Sequence, residues 1–305
     1  MPASPFAFVE ADACRAALDR ADHLRHDNDA LANLWPDARV VLLDDSGLAF
    51  ADEQRRLLAP TGAQLSAGPG GPGAAVFLGV DDNGTGWFAL DAGLTAFAAP
   101  ERCDLRSAAT HWPHFDASVF AQARAVQHWR QRHRHCGVCG GTLAYSRGGW
   151  LGTCTQCHAE HYPRTDPAVI VAVSDGERLL LGRQNGWPAR RYSTIAGFVE
   201  PGESLEHAVA REVLEETGVR VKSCRYQASQ PWPFPSSLML GFVADAHPDT
   251  PSTSDELEDA RWFTREEVRE AQARDADPAR DDGTGLLVSP RLSIARWLID
   301  RWAEG

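Results

Sequence analysis

Two pairs of cysteines, Cys136 with Cys139 and Cys154 with Cys157, constrain this 305-residue chain more than any other feature. Each pair has the spacing CxxC, and fourteen residues separate the pairs. A CxxC turn aims two thiolates at one point, so two such turns present four sulfurs to a single tetrahedral ion, the arrangement of a zinc ribbon. The gap lies just below the usual window of about 15–20 residues. Gly137, Gly140, Gly141, Gly148, Gly149 and Gly152 make the tighter turns accessible. A redox CxxC does not come in two copies flanking a hairpin. Four thiolates close the coordination sphere and leave no position for water, so the zinc is expected to be structural. His135, His158 and His161 read as bystanders, and Cys14, Cys103 and Cys224 as ordinary thiols.

An odd total of seven cysteines, four of them in such a site, suits a reducing compartment better than a disulfide framework. The start, MPASPFAFVEADAC, carries Glu10 and Asp12 where a secretion signal is apolar. No apolar run approaches the roughly 20 residues of a bilayer crossing. The expectation is therefore a cytoplasmic protein with no membrane partner. Its formal charge of −12 repels phosphate backbones over the surface as a whole, so a phosphate ligand must be held by local features or metal ions. The basic run RQRHRHC at 130–136 reads as a solvated face in preference to an RNA contact.

Periodicity predicts a helix over 13–24, a strand over 38–45, and a hairpin from 74–80 to 87–91 around Asn83-Gly84. A surface loop follows from the Gly/Pro stretch at 66–75. A second helix is expected over 115–134, with Val119, Phe120, Ala123, Val126 and Trp129 inward. Strands then flank a turn at Asp175-Gly176, and further strand candidates lie between 222 and 246. The last element is an amphipathic helix over 289–302 burying Leu292, Ala295, Leu298 and Trp302.

Residues 197–219, GFVEPGESLEHAVAREVLEETGV, gather six carboxylates around one arginine. Pro201-Gly202 marks a turn, Ser204 can cap a helix, and Gly218 can end it. At about 100° per residue, Glu212, Glu215 and Glu216 share one arc while Val209, Ala210, Val213 and Leu214 share another. A solvated acidic face does not require that clustering. A hard divalent cation among the carboxylates does, because it relieves the repulsion and can meet a substrate phosphate.

The fixed positions Gly197, Glu203, Arg211, Glu212, Val213, Glu215, Glu216, Gly218 and Val219 resemble the signature of Nudix hydrolases. Beyond it, SQPWPFPSS at 229–237 resembles the hallmark of the NADH pyrophosphatase branch, which also carries a four-cysteine ribbon and a divergent Nudix-like N-terminal domain. The resemblance covers nearly the whole chain. It implies an α+β protein: a Nudix fold, an α/β/α sandwich with a mixed sheet, over 164–305. A zinc ribbon over 131–163 and a Nudix-like domain over 1–130 precede it.

The same resemblance implies Mg²⁺ or Mn²⁺ on Glu212, Glu216, Glu256 and the Ala196 carbonyl, with Glu258 as fallback for Glu256. Glu215 becomes a further ligand or the group that activates water, and Glu203 and Arg211 pair to brace the loop against the helix. Tyr162, Phe198 and Ala295 are implied as substrate contacts. In the proline loop, three prolines are expected to forbid regular strand pairing. Gln230, Pro231, Trp232, Pro233, Phe234, Pro235, Ser236 and Ser237 would there offer aromatic faces and hydrogen bonds to a planar base. An acidic contact that relatives can carry before the second CxxC is replaced by Gly149 and Trp150.

The expected reaction is hydrolysis of the pyrophosphate of NADH or NAD to AMP and NMNH or NMN, by a homodimer. Removal of an NAD cap from RNA 5′ ends uses the same bond. A general ADP-ribose or dinucleotide pyrophosphatase is the third reading. A zinc-ribbon nucleic-acid-binding regulator with a spent Nudix domain is the reading from a different class, and the intact box argues against it.

Overall fold

A computed structural model describes residues 6–9, 17–65, 71–253 and 255–305. Of the segment expected as the first helix, residues 13–16 lie outside the described residues. Its described remainder is not α-helical: Asp19 exchanges two backbone hydrogen bonds with Val80, and a short 3₁₀ turn covers Asp22–His26. Once the Asp19 backbone joins the edge of a sheet, it cannot also close helical turns.

The chain divides into two compact units, Met1–Arg164 with Pro233–Ser236, and Thr165–Trp232 with Ser237–Gly305. In the first unit, α1 (Asn28–Leu34) precedes a sheet of β1 (Arg39–Leu43), β2 (Ala49–Ala51), β3 (Val76–Val80), β4 (Gly86–Asp91) and β5 (Glu101–Cys103). Their order is β3-β4-β1-β2-β5, with only β1 and β4 parallel. The β3–β4 hairpin turns where Asp81 Oδ1 accepts from the Asn83 and Thr85 amides and Gly84 takes a positive φ of 80°. After α2 (Leu105–His111), α3 (His114–Arg132) buries all five positions that periodicity assigned to its inner face.

The ribbon, β6 (Leu143–Ser146), β7 (Leu151–Cys154) and β8 (Glu160–His161), is antiparallel and packs within this unit. Trp150 fastens it: the indole N–H donates to the Phe77 carbonyl at 2.7 Å, and the Arg25 guanidinium lies 4.2 Å over the ring. A Cβ at Gly148 or Gly149 would come within 3.0 Å of Phe77 or Val76.

The second unit is built on β9 (Asp166–Ser174), β10 (Arg178–Gln184), β11 (Ile195–Phe198), β12 (Val221–Trp232), β13 (Ser237–Ala246) and β14 (Leu257–Thr264). The order is β12-β13-β9-β10-β14, with β13 parallel to β9. Near its turn β9 pairs with β10, and then β10 diverges with β14 while β11 takes the vacated edge of β9 from Val171 to Ala168. That split sets the start of the acidic segment inside the sheet.

Alternate residues of β9 and β13 face opposite ways. Val169, Val171, Val173, Phe242 and Ala244 form one core with Ala208, Val209 and Val213 of α4 (Leu205–Thr217). On the other face, Gly241 admits Ile294 of α6 (Ile294–Glu304) so closely that a Cβ there would stand 2.8 Å from its Cδ1. Helices on both faces of a mixed sheet make the sandwich of a Nudix fold. Between β14 and α6, α5 (Arg265–Ala276) begins in a capping box of Thr264 and Glu267.

Three sequence expectations need correction here. Leu214 does not join the apolar face of α4; it is half exposed, and Thr217 is buried in its stead. The final helix buries Ile294, Ala295, Arg296, Leu298, Ile299 and Ala303, while Leu292 precedes it and Trp302 is only partly covered. Arg296 was unforeseen: 2 % exposed, it donates to Asp275 at 2.8 Å and Asp300 at 2.7 Å. Finally, proline does not stop β12, because Pro231 pairs with Leu238 and Trp232 with Ser237. β12 is an edge strand, where a residue without an N–H is tolerated.

Candidate active site and metal centre

Helix α4 supplies the carboxylates, and its ends are fixed as the sequence implied. Ser204 Oγ accepts from the His207 amide at 3.2 Å, and Gly218 closes the helix at φ 68°. Glu212 and Glu216, one turn apart, are 9 % and 5 % exposed, whereas the side chain of Glu215 is mostly in solvent. The cluster is thus two buried acids with a third at the rim. A Cβ on Gly197 of β11 would stand 1.9 Å from the Glu212 carboxyl carbon, so the glycine is a seat for that side chain.

Arg211 holds the group together. Its Nε and Nη2 donate to the two Glu203 oxygens at 2.8 and 2.9 Å, a bidentate pair. Nη2 also donates to the Phe198 carbonyl at 2.9 Å, and Nη1 reaches Glu212 at 2.9 Å and Glu215 at 3.0 Å. One guanidinium therefore ties the loop, β11 and two helix carboxylates. The sequence reading had only its pairing with Glu203; the i,i+4 spacing of Arg211 and Glu215 was the available signal for more.

The electrostatics divide the acids into two kinds. The Arg211 hydrogen bonds hold the Glu203 carboxyl down at about 2. Burial pushes Glu216 up to about 8, reinforced by the charges of Glu212, Glu256 and Glu215. Burial also raises Glu212, with Arg211 opposing and Glu215 and Glu256 adding. Glu256, on the loop before β14, is thus within electrostatic reach of both buried acids. Glu258 is committed elsewhere, 2.8 Å from Arg183. Ala196 of β11 pairs with Ile170 of β9, next to Gly197, and Phe198 beyond it is 60 % exposed.

Gln230 is fully buried, and its amide is already used: Oε1 accepts from the Ile294 amide and Nε2 donates to the Leu292 carbonyl, both at 2.8 Å. Those bonds fix the start of α6 and so place Ala295, itself 4 % exposed. Trp232 and Ser237 are partly covered at the end of the β12–β13 pair. Residues 233–236 group with the first unit, where the Arg106 guanidinium lies 4.4 Å over the Phe234 ring. Pro233 is buried, Pro235 exposed and Ser236 partly covered. Tyr162 also belongs to the first unit; it is 55 % exposed and its hydroxyl donates to Glu160.

In the ribbon, the four cysteine sulfurs lie within 4.8 Å of one another, a group that can hold a metal ion; among the described residues the carboxylates of Glu212, Glu216 and Glu256 do not all approach one another that closely. Amides in the two turns donate to sulfur, Val138 to Cys136 at 3.3 Å, and Cys157 and Gln156 to Cys154 at 3.5 and 3.4 Å. These bonds lower the Cys136 thiol to about 6 and depress Cys154. His161 Nε2 lies 3.3 Å from the Cys136 sulfur, closer than a bystander need be.

A mixed-sheet sandwich with an acidic helix seated on a glycine of β11 defines a Nudix-type domain. Residues 164–282 match the family model described as the NUDIX domain, and residues 37–129 match the NADH pyrophosphatase-like rudimentary NUDIX domain. The chain is 40% identical over 296 residues to a protein of Mycobacterium tuberculosis named NAD-capped RNA hydrolase NudC, covering 95% of this chain and 93% of that one. It is 42% identical over 198 residues to the Homo sapiens NAD-capped RNA hydrolase NUDT12, covering 61% of this chain and 42% of that protein. Among solved structures, a NUDIX hydrolase from Nitrosomonas europaea aligns with a TM-score of 0.40 and 24% identity, over 52% of this chain and 96% of that one. The chain belongs to the Nudix hydrolases, in the branch with an NADH pyrophosphatase-like N-terminal domain.

Proposed function

We propose that this protein hydrolyses the pyrophosphate bond of NADH and NAD, giving AMP with NMNH or NMN. The observation that carries this reading is the pair of buried acids Glu212 and Glu216 on α4, in a chain whose full-length relatives are named for NAD caps. The donor set suits a hard divalent cation: three carboxylates, Glu212, Glu216 and Glu256, act on one another through their charges, and Arg211 offsets that of Glu212. Mg²⁺ or Mn²⁺ held by those three carboxylates and the Ala196 carbonyl would neutralise the diphosphate and lower the pKa of bound water.

The chain's own residues do the rest. Glu215, at the rim, orients the attacking water or takes its proton, and Arg211 fixes Glu215 and Glu212 relative to each other. Glu203 keeps Arg211 in place. The exposed Phe198 ring is assigned to the nicotinamide, and Tyr162, Pro231, Trp232, Pro233, Phe234, Pro235, Ser236, Ser237 and Ala295 to the remaining substrate contacts. Gln230 acts by setting the start of α6. Cys136, Cys139, Cys154 and Cys157 hold a structural zinc in a ribbon over 131–163, between an N-terminal domain over 1–130 and a catalytic domain over 164–305. The reading carries a cytosolic homodimer, which light scattering after gel filtration tests.

The test is AMP release from NADH with and without Mn²⁺. Glu216→Gln should lower kcat by about a hundredfold or more while the protein stays folded by circular dichroism. Full rate in that variant overturns the reading. The names of the relatives favour NAD-capped RNA as a second substrate with the same scissile bond. Competition between NADH and a capped oligonucleotide ranks the two.

A further inference from the structure

The first unit holds a cavity that the hydrolysis reading leaves unused. Its volume is about 230 Å³, and it opens between the sheet, the C-terminal half of α3 and the ribbon strand β6. Leu43, Val76 and Leu90 give it an apolar floor, each at most 3 % exposed. A floor of that kind suits a flat ring.

The wall on α3 is polar. Gln127 donates from Nε2 to the carbonyls of Leu43 at 3.3 Å and Asp44 at 3.5 Å, which fixes the amide with its oxygen turned away from them. That Oε1 is buried and has no hydrogen-bond partner. A buried carbonyl oxygen is expected to meet a donor. Three residues on, Arg130 spends one N–H on the Ala74 carbonyl at 3.2 Å and stacks 4.5 Å from Tyr145. Arg134, just past the helix end, is exposed. Among the described residues neither arginine has a carboxylate within ion-pair distance. The acid in the lining, Asp91, accepts the Gly93 amide, and its charge acts on Arg130 from a distance. In a chain of net charge −12, two arginines against the single acid Asp91 leave this cavity with a local positive charge that suits an anion.

We infer that this cavity binds a mononucleotide, with an amino-bearing base on the apolar floor donating toward Gln127 and the phosphate at the mouth between Arg130 and Arg134. The ligand class follows from three separated demands: a flat apolar body, an N–H donor and one anion. The inference stands whether or not the α4 carboxylates are catalytic, because no residue of α4 takes part in it.

Calorimetric titration of the full chain with AMP, without added divalent cation, tests it. Arg134→Glu changes an exposed side chain and should fold normally; it should weaken AMP binding at least about tenfold while leaving adenosine binding and NADH kcat/KM unchanged. Gln127→Leu should weaken AMP and adenosine alike. Unaltered AMP affinity in Arg134→Glu overturns the proposal. Inorganic phosphate that displaces AMP at equal concentration also overturns it, since the ring would then contribute nothing. If Gln127→Leu fails to fold, the Arg134→Glu comparison decides alone.

Discussion

The smallest feature with a large consequence is the absent side chain at position 197. Because a Cβ there would lie 1.9 Å from the Glu212 carboxyl carbon, Gly197→Ala must displace the carboxylate or part β11 from α4. The core beneath is built from other residues, so the variant should fold. Activity should fall by about a hundredfold, with weaker Mn²⁺ binding by electron paramagnetic resonance; full activity would show that the Glu212 position does not matter. Glu216 yields a second prediction at this scale. Its carboxyl rises from 4.5 to about 8 through burial, so the folded state binds that proton more tightly than the unfolded one. The stabilisation is fully present below about pH 4.5 and is lost as pH rises through about 8. The melting temperature of protein without added divalent cation should therefore fall across that window, added Mn²⁺ should raise it most at the alkaline end, and Glu216→Gln should flatten the profile.

At the scale of elements, α4 was legible because its caps, its spacing and its signature all lie within one continuous stretch. Its inner face was less so. An angular count puts Leu214 beside Ala210 at the margin of the apolar arc, yet the sheet covers only the part centred on Val209 and Val213, and the tilt of a helix on a sheet is not written in its periodicity. The proline loop was misread for a similar reason: whether Pro231 breaks a strand depends on whether that strand is at an edge, which only the strand order reveals. Glutamine can donate and accept, which makes Gln230 an expected substrate contact, while the helix that uses both functions of its amide arrives about sixty residues later. Gln230→Leu should accordingly leave Ile294 N–H and Leu292 C=O without partners and destabilise the second unit by about 1–3 kcal/mol in urea titrations. A larger effect on NADH KM than on stability would return Gln230 to the substrate.

At the scale of the whole molecule, the two candidate metal centres fall in different compact units. The four thiols lie in Met1–Arg164, and Glu212, Glu216 and Glu256 all lie in the second unit. Structural zinc contributes roughly 10–16 kcal/mol in small metal-dependent folds, as much as or more than the roughly 5–15 kcal/mol that holds a typical domain folded. The ribbon's own framework is three short strands, anchored on the rest of the unit by Trp150 at Phe77 and by Tyr145 at His133 and Trp129. Stripping zinc should then melt the first unit at a markedly lower temperature, whereas Mn²⁺, bound by carboxylates, should raise the transition of the second. Scanning calorimetry on the full chain reads both. The expected trace has two transitions, one moved by a thiol-selective chelator and the other by Mn²⁺. A single transition moved equally by both treatments would mean that the two centres do not stabilise separate units, and the assignment of a structural ion to one and a catalytic ion to the other would lose its thermodynamic basis.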